Sequence, residues 1–124
     1  MSILISVNPP YAGQLVDGIK TIEWRKRPIP YGVAFIYETK KSGGCGMVIG
    51  EIEIGGDWCV TANTASDNLI RKGMVDRDFL RKYSGEKPIF ANEVWSSARY
   101  KEPRPLSDFG LKRPPQSWCY VKPI

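Results

Sequence analysis

The residues best placed to do chemistry sit together in GIKTIEWRKR, residues 18–27, where Lys20, Glu23 and Arg25 stand three and then two positions apart. A lysine beside a carboxylate is what proton transfer uses, because burial lowers the ammonium pKa and the carboxylate raises it again. Lysine and arginine side by side could equally hold a phosphate. On an unbroken strand, alternation puts Thr21, Glu23 and Arg25 on one face and Lys20, Ile22 and Trp24 on the other. Lys20, however, follows the turn expected at Gly18, where its long stem can bring the ammonium round to Glu23. Composition alone favours a blander outcome, an exposed ion-pair ladder worth about 0–1 kcal/mol.

What the chain lacks narrows the chemistry. There is no histidine among the 124 residues, so Ser-His and Cys-His pairs are excluded and the commonest metal ligand is missing. Cys45, Cys59 and Cys119 have no CxxC spacing; neither a zinc site nor a disulfide framework is expected, and no metal or cofactor. Any catalysis must therefore run on Lys, Glu, Asp, Tyr, Ser or Thr. The net charge of +5 and pI of about 9.2 tilt the partner towards a polyanion. Lys20, Arg25 and Lys26 would form one basic side, Lys40 and Lys41 a second, and Lys112 with Arg113 a third. Tyr11, Trp24, Tyr37 and Trp118 could stack on bases, although at least two of these aromatics should be core. Gln116 and Ser117 either line a site or cap the last strand.

Positioning falls to short elements. Ser2 to Val7 reads as a strand; Asn8 then caps a helix with Pro9 in its first turn, ending near Asp17 with Gly18 in a left-handed turn. Strands follow at Lys20 to Lys26 and Val33 to Thr39, and the Gly-rich tip KKSGGCG leads into an alternating strand over Met47 to Ile54, a hairpin. Thr64 with Asp67 opens a helix that Gly73 stops. Asp76 caps the next helix, with Val75 and Leu80 as a hydrophobic staple and Phe79, Leu80 and Tyr83 as its core stripe before Gly85. IFANEVWSS is a strand, Tyr100 to Pro115 an irregular Pro-rich tail, and Trp118 to Val121 a last strand. The expected class is α+β: one domain over 1–124, a small β-barrel of five or six strands with about three short helices, taken as a monomer. No apolar run approaches the roughly 18 residues of a spanning helix and MSILISVNPP lacks a signal-peptide pattern, so a cytoplasmic protein with no membrane role is expected.

Four blocks of this sequence resemble the ASCH domain, a PUA-like family. ILISVNPPYAGQLVDGIKTIEWRKR is similar to its strand, short helix and G-x-K-x-x-E-x-R opening, with Gly18, Lys20, Glu23 and Arg25 in the four places. FIYETK resembles its third strand, VDRDFLRKYSGEKPIFANEV its second helix pair and following strand, and KRPPQSWCYV the ending of one branch. The resemblance implies a PUA-like barrel with a cleft lined by the signature residues, and a role in binding RNA or a nucleotide. Glu23 would orient Lys20 or meet a base edge, and Arg25 would hold a phosphate or anchor Glu23. It also implies an alternative, hydrolysis of RNA or of a modified nucleoside such as N4-acetylcytidine, with Lys20, Glu23 and Ser117 as the catalytic set: Lys20 would stabilise the developing charge, and Ser117 or a tyrosine such as Tyr11 would take or orient the hydroxyl proton. In the family's amidohydrolases a Lys, a Thr and a Glu act together; Lys20 matches the first, but Glu23 stands in the threonine's place and about Lys72 in the glutamate's. A nearby Thr21 or Glu86 could serve a different chemistry. A module docking on protein is the third reading.

Overall fold

Two long antiparallel strands form the backbone of the sheet that the computed structural model shows, in which residues 2–122 are described. The elements in chain order are β1 (Ser2–Val7), α1 (Tyr11–Val16), β2 (Ile22–Arg25), β3 (Gly32–Glu38), β4 (Met47–Val60), α2 (Asp67–Lys72), α3 (Arg77–Ser84), β5 (Ile89–Arg104) and β6 (Trp118–Val121), with single 3-10 turns at Lys41–Gly43 and Leu106–Phe109. The sheet order is β2-β5-β4-β3-β1-β6. β1 and β3 run parallel and every other neighbouring pair is antiparallel.

The barrel expected from sequence is not closed. β2 and β6 remain the two edges of an open six-stranded sheet. What sequence periodicity under-read was strand length: β4 continues six residues past Ile54 to Val60, and β5 runs through Tyr100 to Arg104 into the stretch expected to be irregular. Cross-strand pairing overrides local composition there, with Val48 opposite Arg104 at one end and Val60 opposite Ile89 at the other. Register shifts at Gly50 and between Glu53 and Gly56 bend the pair, which is how bulges let a sheet curl.

Three apolar clusters fill the fold. Ala12, Leu15 and Val16 of α1 pack on Ile3, Ile5, Ala34, Ile36, Ile52 and Ile54. Leu4, Tyr37, Val48, Phe109 and Val121 form a second cluster, so β1 and β3 bury alternate side chains in different clusters, which is why both read as almost unbroken apolar runs. The third joins Ile22 and Trp24 of β2 to Leu80 of α3, with Ala62, Ala65, Ile89 and Ala91.

The helix ends show how local chemistry decides boundaries. α1 begins at Tyr11, later than expected, because a residue before proline is pushed out of the helical region and Pro9 precedes Pro10. Asn8 still contributes its carbonyl to the Ala12 N–H, but its side chain accepts from Thr39 Oγ1 at 2.6 Å instead of capping. Gly18 adopts φ 74°, as a helix stop should. α2 starts at Asp67 with Ser66 as its cap (Leu69 N–H to Ser66 Oγ, 3.1 Å), while Thr64 closes a turn onto Thr61. At α3 the reading holds: Asp76 accepts from the Phe79 N–H at 2.6 Å and Gly85 is left-handed at φ 61°. Its core stripe is narrower than expected, with Leu80 fully buried but Phe79 46 % exposed.

Candidate functional site

Lys20 reaches Glu23 because the chain does not become a strand until Ile22. The Ile19 and Lys20 N–H groups both donate to the Gln14 carbonyl at 3.0 Å, and the Thr21 N–H donates to the Lys72 carbonyl at 3.0 Å. These bonds hold residues 19–21 off the pleat, so the strict alternation expected from sequence does not apply there. The Lys20 side chain turns inward, 2 % exposed, while Thr21 lies along a different depression.

Lys20 Nζ stands 4.0 Å from Glu23 Oε1, donates to the Gly73 carbonyl, and lies 5.5 Å from the centre of the Tyr11 ring. Glu23, only 5 % exposed, gives its other oxygen, Oε2, to Arg25, from which Nη2 lies 2.8 Å away and Nε 3.0 Å. The carboxylate is therefore shared, one oxygen towards each cation. Asn92 of β5, wholly buried, fixes the strand behind it by donating to the Glu23 carbonyl at 3.0 Å. Burial pushes the Lys20 ammonium pKa down, Glu23 pulls it back up and Arg25 lowers it further; the net direction is downward.

Arg25 also spans the gap that keeps the sheet open. It extends from edge strand β2 to the Ser6 carbonyl of β1 at 3.2 Å, and to Ser117 Oγ, just before edge strand β6, at 3.4 Å. The signature arginine thus joins the two sheet edges by side chain where no backbone ladder does.

Around these three residues lies a cleft of about 370 Å³. Asn8, Tyr11 and Thr39 line one part of it, Val75, Phe79 and Tyr83 another, and Gln116 a third. Phe79 and Tyr83, one helical turn apart on α3, lie nearly parallel, 11° between planes and 6.5 Å between centres. Lys26 Nζ sits 5.0 Å from the Tyr83 ring centre, and burial raises the Tyr83 pKa.

Of the residues singled out from sequence, the fold brings Lys20, Glu23, Arg25, Tyr11, Trp24 and Gln116 to this cleft, with Ser117 at its edge through Arg25. It places the others elsewhere. Tyr37 is buried among Leu4, Val48 and Phe109, since its position on β3 faces that cluster. Lys40 and Lys41 are exposed at the turn after β3 and Arg113 is exposed in the final loop, and none of them lines the cleft. Trp118 is half-buried against the α1 cluster, edge-on to Tyr120. Sequence reasoning missed Asn8 and Thr39 as lining groups, and assigned Phe79 and Tyr83 wholly to the core. The available signal was their i, i+4 spacing beside Leu80, an apolar face wider than one helix contact requires.

A larger depression of about 470 Å³ holds Thr21, two residues before the place of the amidohydrolase pattern's threonine, and Lys72, at about the place of its glutamate. Among the described residues the buried Lys20–Glu23–Arg25 group lies at the smaller cleft and not here. Glu86 is exposed with φ 64° and lines neither. Among the described residues no group of His, Cys, Asp and Glu could hold a metal.

No protein-family model matches the chain, and no curated protein matches it. Solved structures do. The crystal structure of ASCH from Zymomonas mobilis superposes with a TM-score of 0.83 at 25 % identity, covering 98 % of this chain and 87 % of that one. The chain has the fold of an ASCH domain. Two variants of the Zymomonas mobilis protein agree: a tyrosine-to-phenylalanine form at TM-score 0.83 and 24 % identity, covering 98 % and 90 %, and a serine-to-alanine form at 0.82 and 24 %, covering 98 % and 88 %.

In this ASCH fold one glycine supports the site directly. A Cβ on Gly73 would stand 2.0 Å from Trp24 Nε1, so only glycine lets the indole pack there while the same residue's carbonyl receives Lys20. The indole N–H is buried and, among the described residues, has no hydrogen-bond partner. Gly73→Ala must displace Trp24 and is expected to lower the unfolding free energy by about 1–3 kcal/mol, the usual cost of overpacking. Urea denaturation measures it. An unchanged midpoint would show that the Trp24 contact yields without cost.

Proposed function

We propose that this protein binds RNA or a nucleotide-like ligand in the cleft floored by Lys20, Glu23 and Arg25. One observation carries the reading: two cations oriented by a shared buried carboxylate lie in the same cleft as the flat faces of Tyr11, Phe79 and Tyr83. Phosphate is recognised by charge, and unstacked bases by aromatic planes together with amide and hydroxyl groups that read their edges. Arg25 meets phosphate, the rings stack a base, and Asn8, Thr39 and Gln116 supply edge contacts. Glu23 holds both cations in place and keeps the site from being a simple anion trap. The ASCH fold agrees with an RNA-related role. A basic protein with no helix, among the described residues, long and apolar enough to cross a membrane suits a cytoplasmic setting.

Calorimetric titration with single-stranded oligoribonucleotides tests this. Saturable binding is expected at low salt, with the logarithm of affinity falling linearly against the logarithm of salt at a slope near −0.7 per phosphate neutralised. Absence of a saturable signal for both oligomers and free nucleotides at low salt would end the reading.

A second reading, hydrolysis of RNA or of a modified nucleoside such as N4-acetylcytidine, is supported by the downward-shifted Lys20 beside a carboxylate and by Ser117 Oγ near Arg25. Lys20 would then stabilise or accept charge at the reacting centre, and Ser117 would orient the attacking hydroxyl. Incubating RNA and N4-acetylcytidine separately with stoichiometric protein decides it, since intact substrate in both leaves binding alone.

A further inference from the structure

The larger depression carries an exposed aromatic ring and a cation of its own. Trp58 lies on its wall, 56 % exposed, although large aromatics in strands are normally covered. Its ring is not loose. The indole Nε1–H donates to Glu93 Oε2 at 2.8 Å, which fixes the edge while much of the ring stays open to solvent. Lys72 stands in the same lining, with the polar side chains of Thr64, Ser66 and Asn68.

The two depressions are lined by neighbouring residues of the same two segments. Lys20 lines the first and the next residue, Thr21, the second; Lys72 lines the second and the next residue, Gly73, receives the Lys20 ammonium of the first. The Thr21 N–H to Lys72 carbonyl bond, 3.0 Å, ties the two segments into one ridge. In register, Trp58 shares a sheet face with Trp24 while Glu23 and Arg25 lie on the other, so a chain that enters both depressions passes round the β2 edge over this ridge.

We propose that the second depression takes the base of the next nucleotide along a single strand whose neighbour occupies the first cleft. Trp58 stacks that base, Lys72 meets the phosphate joining the two, and the amide and hydroxyl groups beside them contact the base edge. The proposal rests on the first cleft being a nucleotide site, and it sets the minimum ligand at two linked nucleotides.

The test compares adenosine monophosphate with the dinucleotide ApA, carrying a 5′-phosphate, by competition against a fluorescent oligoadenylate on the full chain. The wild type is expected to bind the dinucleotide roughly 5- to 100-fold tighter than the mononucleotide, the scale of one stacked base. Trp58→Ala should remove most of that gain without moving the mononucleotide affinity, and Trp58→Phe, which keeps a flat ring, should retain much of it. Far-ultraviolet circular dichroism confirms that each variant is folded; were Trp58→Ala to unfold, the comparison passes to Lys72→Gln, which should lower the same ratio. An unchanged ratio in the folded variants, or a wild type that binds both ligands equally, overturns the two-nucleotide site and leaves the first cleft standing. A wild type that binds neither overturns both.

Discussion

Glu23→Gln is expected to lower the unfolding free energy by about 3–5 kcal/mol, the cost of breaking a buried ion pair by removing one partner. The glutamate is 5 % exposed and its two oxygens face Lys20 and Arg25, 4.0 Å and 2.8 Å away. A neutral amide leaves two largely buried cations facing one another. It also removes the one neighbour that raises the Lys20 pKa, so Lys20 should become neutral at a lower pH than in the wild type. Chemical denaturation of both proteins at neutral pH provides the number. A loss below about 1 kcal/mol would place the trio among ordinary solvated ion pairs, contrary to its burial.

Lys20→Met separates binding from stability. The ammonium pKa is held below its ordinary 10.5, chiefly by burial, so the folded surroundings disfavour the charged form. Methionine keeps the stem and leaves the Glu23–Arg25 pair intact. Stability should stay within about 1 kcal/mol of wild type or rise, as replacements of buried ionic groups by apolar ones often do, while affinity for an anionic ligand falls at least about tenfold, the loss of one charge-assisted contact. The sign of the pH effect follows from the downward shift. Between the folded pKa of Lys20 and 10.5 the unfolded chain binds more protons than the folded one, so the Lys20 penalty, fully present below that window, fades as pH rises through it. Tyr83 and Tyr100, both raised, work in the opposite direction at alkaline pH. The difference in stability between wild type and Lys20→Met cancels them to first order, and it should shrink as pH rises. A difference independent of pH would mean that Lys20 titrates as it does in water.

How far the sequence revealed the site depended on what kind of signal each residue left. Lys20, Glu23 and Arg25 were legible because three charges in six residues, after a glycine turn, are compact in sequence as well as in space. The inward swing of Lys20 was accessible too, because strand alternation cannot be assumed beside a turn. The second wall was not. Phe79 and Tyr83 arrive at the cleft from more than fifty residues away, and only tertiary packing tells the exposed part of an apolar helix face from its buried part. Tyr37 shows the converse: an aromatic beside a basic loop looked available for stacking, but its strand parity turns it into the Leu4 and Phe109 cluster. The lengths of β4 and β5 were hidden for a related reason, as Tyr100 to Arg104 is poor strand sequence that pairing with β4 recruits. Closure of the sheet was the least legible feature. It depends on whether two edges meet, and here a single arginine side chain, rather than a backbone ladder, makes the connection.

Mapping the backbone amide shifts of the labelled protein as a short single-stranded oligoribonucleotide is added tests the central claim most directly. The account predicts saturable shifts at Ser6 to Asn8, Tyr11, Lys20 to Arg25, Thr39, Gly73 to Tyr83 and Gln116, joined by Trp58 and Lys72 where the strand enters the second depression, and lost in Lys20→Met. Shifts confined to the exposed basic positions Lys40, Lys41 and Arg113, with the cleft silent, would contradict it.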